Sequence, residues 1–199
     1  MIAVVNTGVG NLRSVLLALN RACPEVSVRI ASERKTLRDA SKVVFPGQGS
    51  MRDCIERLNS LDMVDELRRC LVTKPFLGIC LGKQILFDYS EEGGSKGLGF
   101  LPGKVKRFTT KNAVKIPHMG WNSLIFDREH PLTKKLTSED DMYFVHSYHL
   151  QLKNPSNRIA YVNYSGEITA IIAKDNICGT QFHPEKSQKT GQTFIENFM

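Results

Sequence analysis

The chain contains no CxxC pair, no GxGxxG, no GxxxxGK[ST] and no uninterrupted apolar segment of membrane-spanning length. Thiols and imidazoles also lack the paired spacing of zinc ligands, so neither a metal nor another cofactor is expected. The five cysteines, at 23, 54, 70, 80 and 178, are odd in number. A disulfide framework is therefore not expected, and four of them read as small buried hydrophobes. The glycine-rich TGVGNLRS has Arg13 where a third glycine would stand, so it does not read as a dinucleotide loop. No basic block or aromatic–basic alternation accompanies the net charge of +7, so neither nucleic acid nor membrane is an expected partner. MIAVVNTGVGN has no basic region ahead of its apolar residues and reads as a first strand rather than a targeting segment. A cytoplasmic location is expected.

What is present is an ordinary globular balance, 41% hydrophobic and 24% charged over 199 residues, suited to one domain. The first half alternates apolar runs with helical patterns. MIAVVN, VSVRIAS, KVVFPG and PFLGIC read as strands, and Leu12, Val15, Leu16 and Leu19 share a helix face. One long helix is expected over MRDCIERLNSLDMVDELRRCLV and another over LGKQILFDYS. The second half is β-rich, in KVKRF, KIPHMGWNSLIF, DMYFVHSYHL, RIAYVNY, ITAIIAKD and ICGTQFHPE. The expected fold is α/β: a single domain with a central mixed, largely parallel sheet flanked by helices, which the later strands extend. Sites in such sheets lie beyond the carboxyl ends of the parallel strands, where residues 8–11, 46–49 and Cys80 would gather.

GICLG places Cys80 between Gly78 and Gly82, at a strand-to-helix junction. Small neighbours permit a sharp turn that presents the thiol, and a helix starting at Leu81 aims free N–H groups at the sulfur. A cysteine merely filling a tight junction is the competing reading. A nucleophilic thiol requires a base, and the base an orienting group. His183 and Glu185 stand two apart in TQFHPEKSQ; Pro184 biases His183 to extended geometry, which puts both side chains on one face. An oxyanion from attack on an amide requires backbone donors, for which Leu81 and the glycine-flanked Gln48 are placed.

PGQG, GICLGKQ and TQFHPE resemble the class I, triad-type glutamine amidotransferases, whose fold is flavodoxin-like. GVGNLRSV, SEEGGSKGLGF, KIPHMGWNS, YFVHSYH and GTQFHPEKSQKTG are similar to the glutaminase subunits of imidazole glycerol phosphate synthases. This resemblance spans nearly the whole chain and makes residues 1–199 one amidotransferase domain. It implies that Cys80 attacks L-glutamine to form a glutamyl thioester, with His183 moving the proton and Glu185 orienting it. Gly47, Gln84, Glu92, Ser147 and Tyr148 match positions that hold glutamine. Asn11, His118, Trp121, Tyr143 and Lys186 match positions at the interface between subunits and its ammonia passage. The implied partner is a (β/α)8-barrel cyclase subunit forming a heterodimer. There ammonia yields imidazole glycerol phosphate and aminoimidazole carboxamide ribonucleotide, in histidine biosynthesis. The basic surplus suits an acidic partner face.

The sequence departs from the family twice near the site. Lys83 replaces a usual methionine, and is read either as a charge beside the nucleophile or as a solvent-pointing side chain. Gln48 replaces a small apolar residue in the oxyanion loop, where a bulkier polar side chain would alter how the loop turns its N–H toward the oxyanion. The resemblance implies that this loop is unready until the partner and its ligand bind, so weak glutaminase activity is expected of the chain alone. Three other functions fit parts of the pattern: an amidotransferase feeding another synthase, such as one amidinating a surface-polysaccharide sugar; a cysteine hydrolase; and a non-catalytic regulatory subunit.

Overall fold

A computed structural model describes residues 1–8, 10–109 and 114–199; Val9, within the GVGNLRSV stretch, lies outside the described residues. The chain begins β1 (Ile2–Val5), α1 (Leu12–Ala22), β2 (Val28–Ala31), α2 (Arg34–Asp39) and β3 (Lys42–Phe45). It continues α3 (Met51–Ser60), α4 (Val64–Thr73), β4 (Phe76–Ile79), a one-turn α5 (Leu81–Gln84), β5 (Phe87–Ser90), β6 (Ser95–Lys96) and β7 (Leu101–Arg107). The remainder is β8 (His118–Ser123), β9 (Ile125–Phe126), β10 (Asp141–His146), β11 (Tyr148–Leu152), β12 (Arg158–Asn163), β13 (Glu167–Lys174), β14 (Ile177–Thr180) and α6 (Gln188–Phe198).

The main sheet has the order β2-β1-β3-β4-β14-β13-β12-β9. Its first five strands are parallel, and β13, β12 and β9 continue it antiparallel. The parallel strands read as apolar runs because both faces are covered. Ile2 and Val4 pack with Val15 and Leu19 of α1 and Phe194 of α6. Ala3 and Val5, pointing the other way, pack with Leu37, Leu58 and Leu67 of α2, α3 and α4. The alternation of one strand thus feeds two cores.

Three expectations are corrected. The helix expected over MRDCIERLNSLDMVDELRRCLV is two helices, broken at residues 61–63 where Asp62 takes a left-handed φ of 53°. LGKQILFDYS holds one helical turn and then β5: Phe87 and Ser90 are buried while Asp88 and Tyr89 are exposed. The later strands do not all extend the main sheet. β8 and β10 form a separate antiparallel ribbon, and β11-β7-β5-β6 a second small sheet. An apolar run can fill a helix or a strand, and only tertiary packing decides between them.

Candidate active site

β4 is buried throughout and ends at Ile79, so its carboxyl end delivers Cys80 to the sheet edge. Cys80 adopts φ 53° and ψ −106°, a conformation that L-residues rarely hold. Its amide donates to Thr180 O at 2.8 Å, anchoring the turn to β14. The flanking glycines are required by contact. A Cβ on Gly82 would lie 1.7 Å from Phe45 O, and one on Gly78 would lie 2.4 Å from Gly82 O. The turn is thus wedged between β3 and β14 with Cys80 8% exposed. Because α5 is one turn long, a long helix dipole does not act on the sulfur; what remains is the free amides at its start. Among the described residues, the amides of Leu81 and Gln48 donate to no protein acceptor.

β14 carries the chain past the same edge. His183 is extended and 2% exposed, and its amide donates to Tyr143 O at 2.9 Å. Its Nδ1 pairs with Glu185 Oε1 at 2.8 Å. The two side chains meet through a 3₁₀ turn, Pro184–Lys186, rather than along an extended strand as the spacing suggested. His183 Nε2 is buried and, among the described residues, no oxygen or nitrogen pairs with it, which leaves it to the Cys80 sulfur beside it. Burial opposes the imidazolium, yet the adjacent Cys80 sulfur and then Glu185 outweigh it and raise the His183 pKa to about 10. The structure therefore brings the three expected groups, Cys80, His183 and Glu185, to one place.

A cleft of about 560 Å³ opens over Cys80. Gln48, Gln84, Glu92, Ser147 and Tyr148 line it, as do Tyr143 and Lys186 from the expected partner-facing set. Burial raises the Glu92 carboxyl, nearby Asp53 adds to this, and the Met51 amide opposes it. Gly47 is buried beneath the cleft, where a Cβ would press on the Leu81 side chain at 3.2 Å. Met119 and Trp121 stand on the ribbon at 62% and 47% exposure, with Trp121 against Tyr143. Asn11 is exposed and caps α1 by accepting from the Ser14 amide. His118 is buried behind the cleft, stacked on Tyr164 and 2.9 Å from His146 Nε2. Burial lowers His118 to about 4 and His146 well below its ordinary value, so both rings are neutral near pH 7.

Lys83 does not point to solvent. It is fully buried and donates to Gln181 Oε1 at 2.8 Å, while Gln181 Nε2 lies 3.7 Å from Cys80 Sγ. Gln181 is a site residue that the motifs did not single out, although it precedes His183 by two in the same stretch. Its only local signal is that place in the stretch, in the bend just past the end of β14. Ser187 is another: its hydroxyl donates to His183 O at 2.7 Å and accepts from the Tyr143 amide at 2.9 Å. No motif signals that link, because it joins the site to a separate sheet.

The profile of the glutamine amidotransferase class-I family matches residues 5–199. Imidazole glycerol phosphate synthase subunit HisH of Nitrosospira multiformis is 42% identical, covering 100% of this chain and 96% of that protein. The same-named protein of Neisseria meningitidis serogroup A is 39% identical, covering 99% of this chain and 98% of its own. Among solved structures, a glutamine amidotransferase superposes with a TM-score of 0.73 at 16% identity, covering 100% of this chain and 99% of that one. A glutamine amidotransferase of Thermotoga maritima reaches 0.64 at 17% identity, covering 92% of this chain and 75% of its own. These two speak to the fold alone. The chain belongs to the class-I glutamine amidotransferases and, within them, to the family of imidazole glycerol phosphate synthase HisH subunits.

Proposed function

We propose that this chain is the glutaminase subunit of an imidazole glycerol phosphate synthase, hydrolysing L-glutamine to glutamate through a Cys80–His183–Glu185 triad. The observation that carries this is a thiol on a positive-φ turn, beside a buried imidazole held by a carboxylate, at the floor of one cleft. The Cys80 sulfur attacks the side-chain amide carbon of glutamine. The amides of Leu81 and Gln48 receive the negative charge that develops on the oxygen. His183, charged and oriented by Glu185, protonates the leaving nitrogen, and ammonia departs from the thioester. Water then attacks the thioester with neutral His183 accepting its proton, and glutamate leaves as the thiol is restored.

Glu92 faces the α-ammonium of glutamine in this reading. Gln84, Ser147, Tyr148 and the Gly47 backbone frame its carboxylate and amide. Ammonia passes to a (β/α)8-barrel cyclase subunit docked over Met119, Trp121, Tyr143 and Lys186, with Asn11 at the rim. Exposed aromatic and methionine side chains at a cleft mouth are what a protein interface supplies. His118, buried beneath that face, stays neutral and holds its shape. The five cysteines are unpaired, which suits a reducing cytoplasm. The relatives' names favour the histidine pathway over a paralogous synthase, and the complete triad argues against a purely regulatory role.

The test measures glutamate release by wild type and Cys80→Ala, each alone and with the nucleotide substrate and the barrel subunit. Wild type is expected to be weak alone and strongly stimulated in the complex. Cys80→Ala is expected to lose at least about 10³-fold in kcat. Undiminished turnover by Cys80→Ala would refute the triad, and equal turnover with and without the partner would refute the coupling.

A further inference from the structure

Lys83 is among the largest fully buried side chains, and it is cationic when protonated. Burying an ammonium is costly unless donors and charge are satisfied. A slot is built for it: Gly179 on β14 leaves the space, since a Cβ there would lie 2.6 Å from Lys83 Cγ. At its tip the Nζ donates to Gln181 Oε1 at 2.8 Å. Burial lowers Lys83 to about 7, and among the described residues the charge that opposes this is the Cys80 sulfur. Gln181 is itself fully buried, and its backbone N–H donates to Ala170 O at 2.8 Å.

An ammonium has donors and no acceptor, so it selects the Gln181 oxygen. The other end of the carboxamide, Nε2–H, is thereby turned to the Cys80 sulfur at 3.7 Å. We propose that Lys83 is a positioning residue for the glutaminase step, fixing the Gln181 carboxamide so that a buried N–H donor faces the nucleophilic sulfur. The inference rests on the reading of Cys80 as the nucleophile. A thiolate that accepts this N–H is held in place before attack, and the arrangement replaces the support a longer helix would have given. A neutral amine loses the selection, because it accepts from Nε2 as readily as it donates to Oε1. The titratable groups around Lys83 are Cys80 in its own turn, His146 on β10 and His149 on β11. Around Cys80 they are Lys83 and His183, with Glu185 behind the ring.

The experiment uses the full chain as wild type, Lys83→Met, Gln181→Leu and the double variant. It reads the pH profile of Cys80 alkylation by iodoacetamide, then kcat and KM for glutamine with the barrel subunit; thermal unfolding verifies that each variant is folded. Each single variant is expected to move the alkylation midpoint to higher pH. Each is also expected to lower kcat about tenfold with KM little changed. The double variant is expected to match Gln181→Leu, because one relay has been cut twice. Multiplicative losses in the double variant, or a shift in Lys83→Met with none in Gln181→Leu, would overturn the positioning role in favour of direct charge. An unchanged profile in Lys83→Met, with turnover still dependent on Cys80, would overturn the inference alone. Turnover independent of Cys80 would overturn the nucleophile reading beneath it.

Discussion

On the parallel side of the cleft, Cys80 is wedged among Phe45, Gly78, Gly82 and Thr180 with almost no exposure. On the antiparallel side, Met119 and Trp121 stand in solvent on a two-stranded ribbon. One side fixes a strained turn by removing every alternative. The other keeps apolar surface available for something outside the chain. Ser187 joins the two, with one hydroxyl bridging the His183 carbonyl and the Tyr143 amide. The His183 amide returns the contact to Tyr143 O. By this contrast the proposed nucleophile is built by the fold, whereas the proposed partner face is only held ready by it.

The sharpest test of this contrast places the same substitution on both sides. Gly82→Ala forces a Cβ to 1.7 Å from Phe45 O, whereas Gly120→Ala on β8 meets nothing within 4 Å among the described residues and bears the strain of its φ of 131°. Urea unfolding is expected to register a loss of about 4 kcal/mol or more for Gly82→Ala. About 1–2 kcal/mol is expected for Gly120→Ala. Comparable losses would erase the distinction.

A step smaller, Trp121→Ala is expected to weaken binding of the barrel subunit by roughly thirtyfold. Calorimetric titration measures this, and alkylation of Cys80 in the isolated chain should be untouched. Smaller again, Ser187→Ala leaves the Tyr143 amide without its acceptor and should cost about 1 kcal/mol of stability. It should also reduce stimulation by the partner in the glutaminase assay, since the ring from Tyr143 to His183 is opened. Full stimulation in Ser187→Ala would separate the two regions.

The smallest expected effect is a cancellation. His183 is raised from its ordinary 6.5 to about 10, so its contribution is full below 6.5 and is lost as pH rises through about 10. Lys83 is lowered from its ordinary 10.5 to about 7, so the folded state gains stability as pH rises from 7 toward 10.5. The two slopes oppose each other, and the melting temperature of the wild type should change little between pH 7 and 10. Lys83→Met should expose the His183 decline, and His183→Asn the Lys83 rise. The same slope in both variants would contradict these assignments.

The parallel half was readable because its signals are local. Apolar runs in β1, β3 and β4 report burial on both faces, and Gly78 and Gly82 report a close approach. The antiparallel half was less so. LGKQILFDYS satisfies a helical pattern, yet the buried Phe87 and Ser90 belong to a strand whose partner, β7, starts at Leu101. The ribbon pairs Trp121 with Tyr143 across a segment that carries β9 into the main sheet, and nothing local in either stretch specifies that register. Within the site, the pairing of His183 with Glu185 was legible from their spacing, but its route through a 3₁₀ turn at Pro184–Lys186 was not. The inward turn of Lys83 was not, because it depends on Gly179 leaving room and on Gln181 waiting at its tip.

The most direct test of the central claim is stoichiometric labelling of the complex with a glutamine-analogue electrophile, followed by peptide mapping by mass spectrometry. One label per chain is expected, on Cys80 and no other cysteine, prevented by excess glutamine and strongly slowed in His183→Asn. Labelling of Cys54, Cys70 or Cys178 instead, or labelling of Cys80 that glutamine does not prevent, would contradict it.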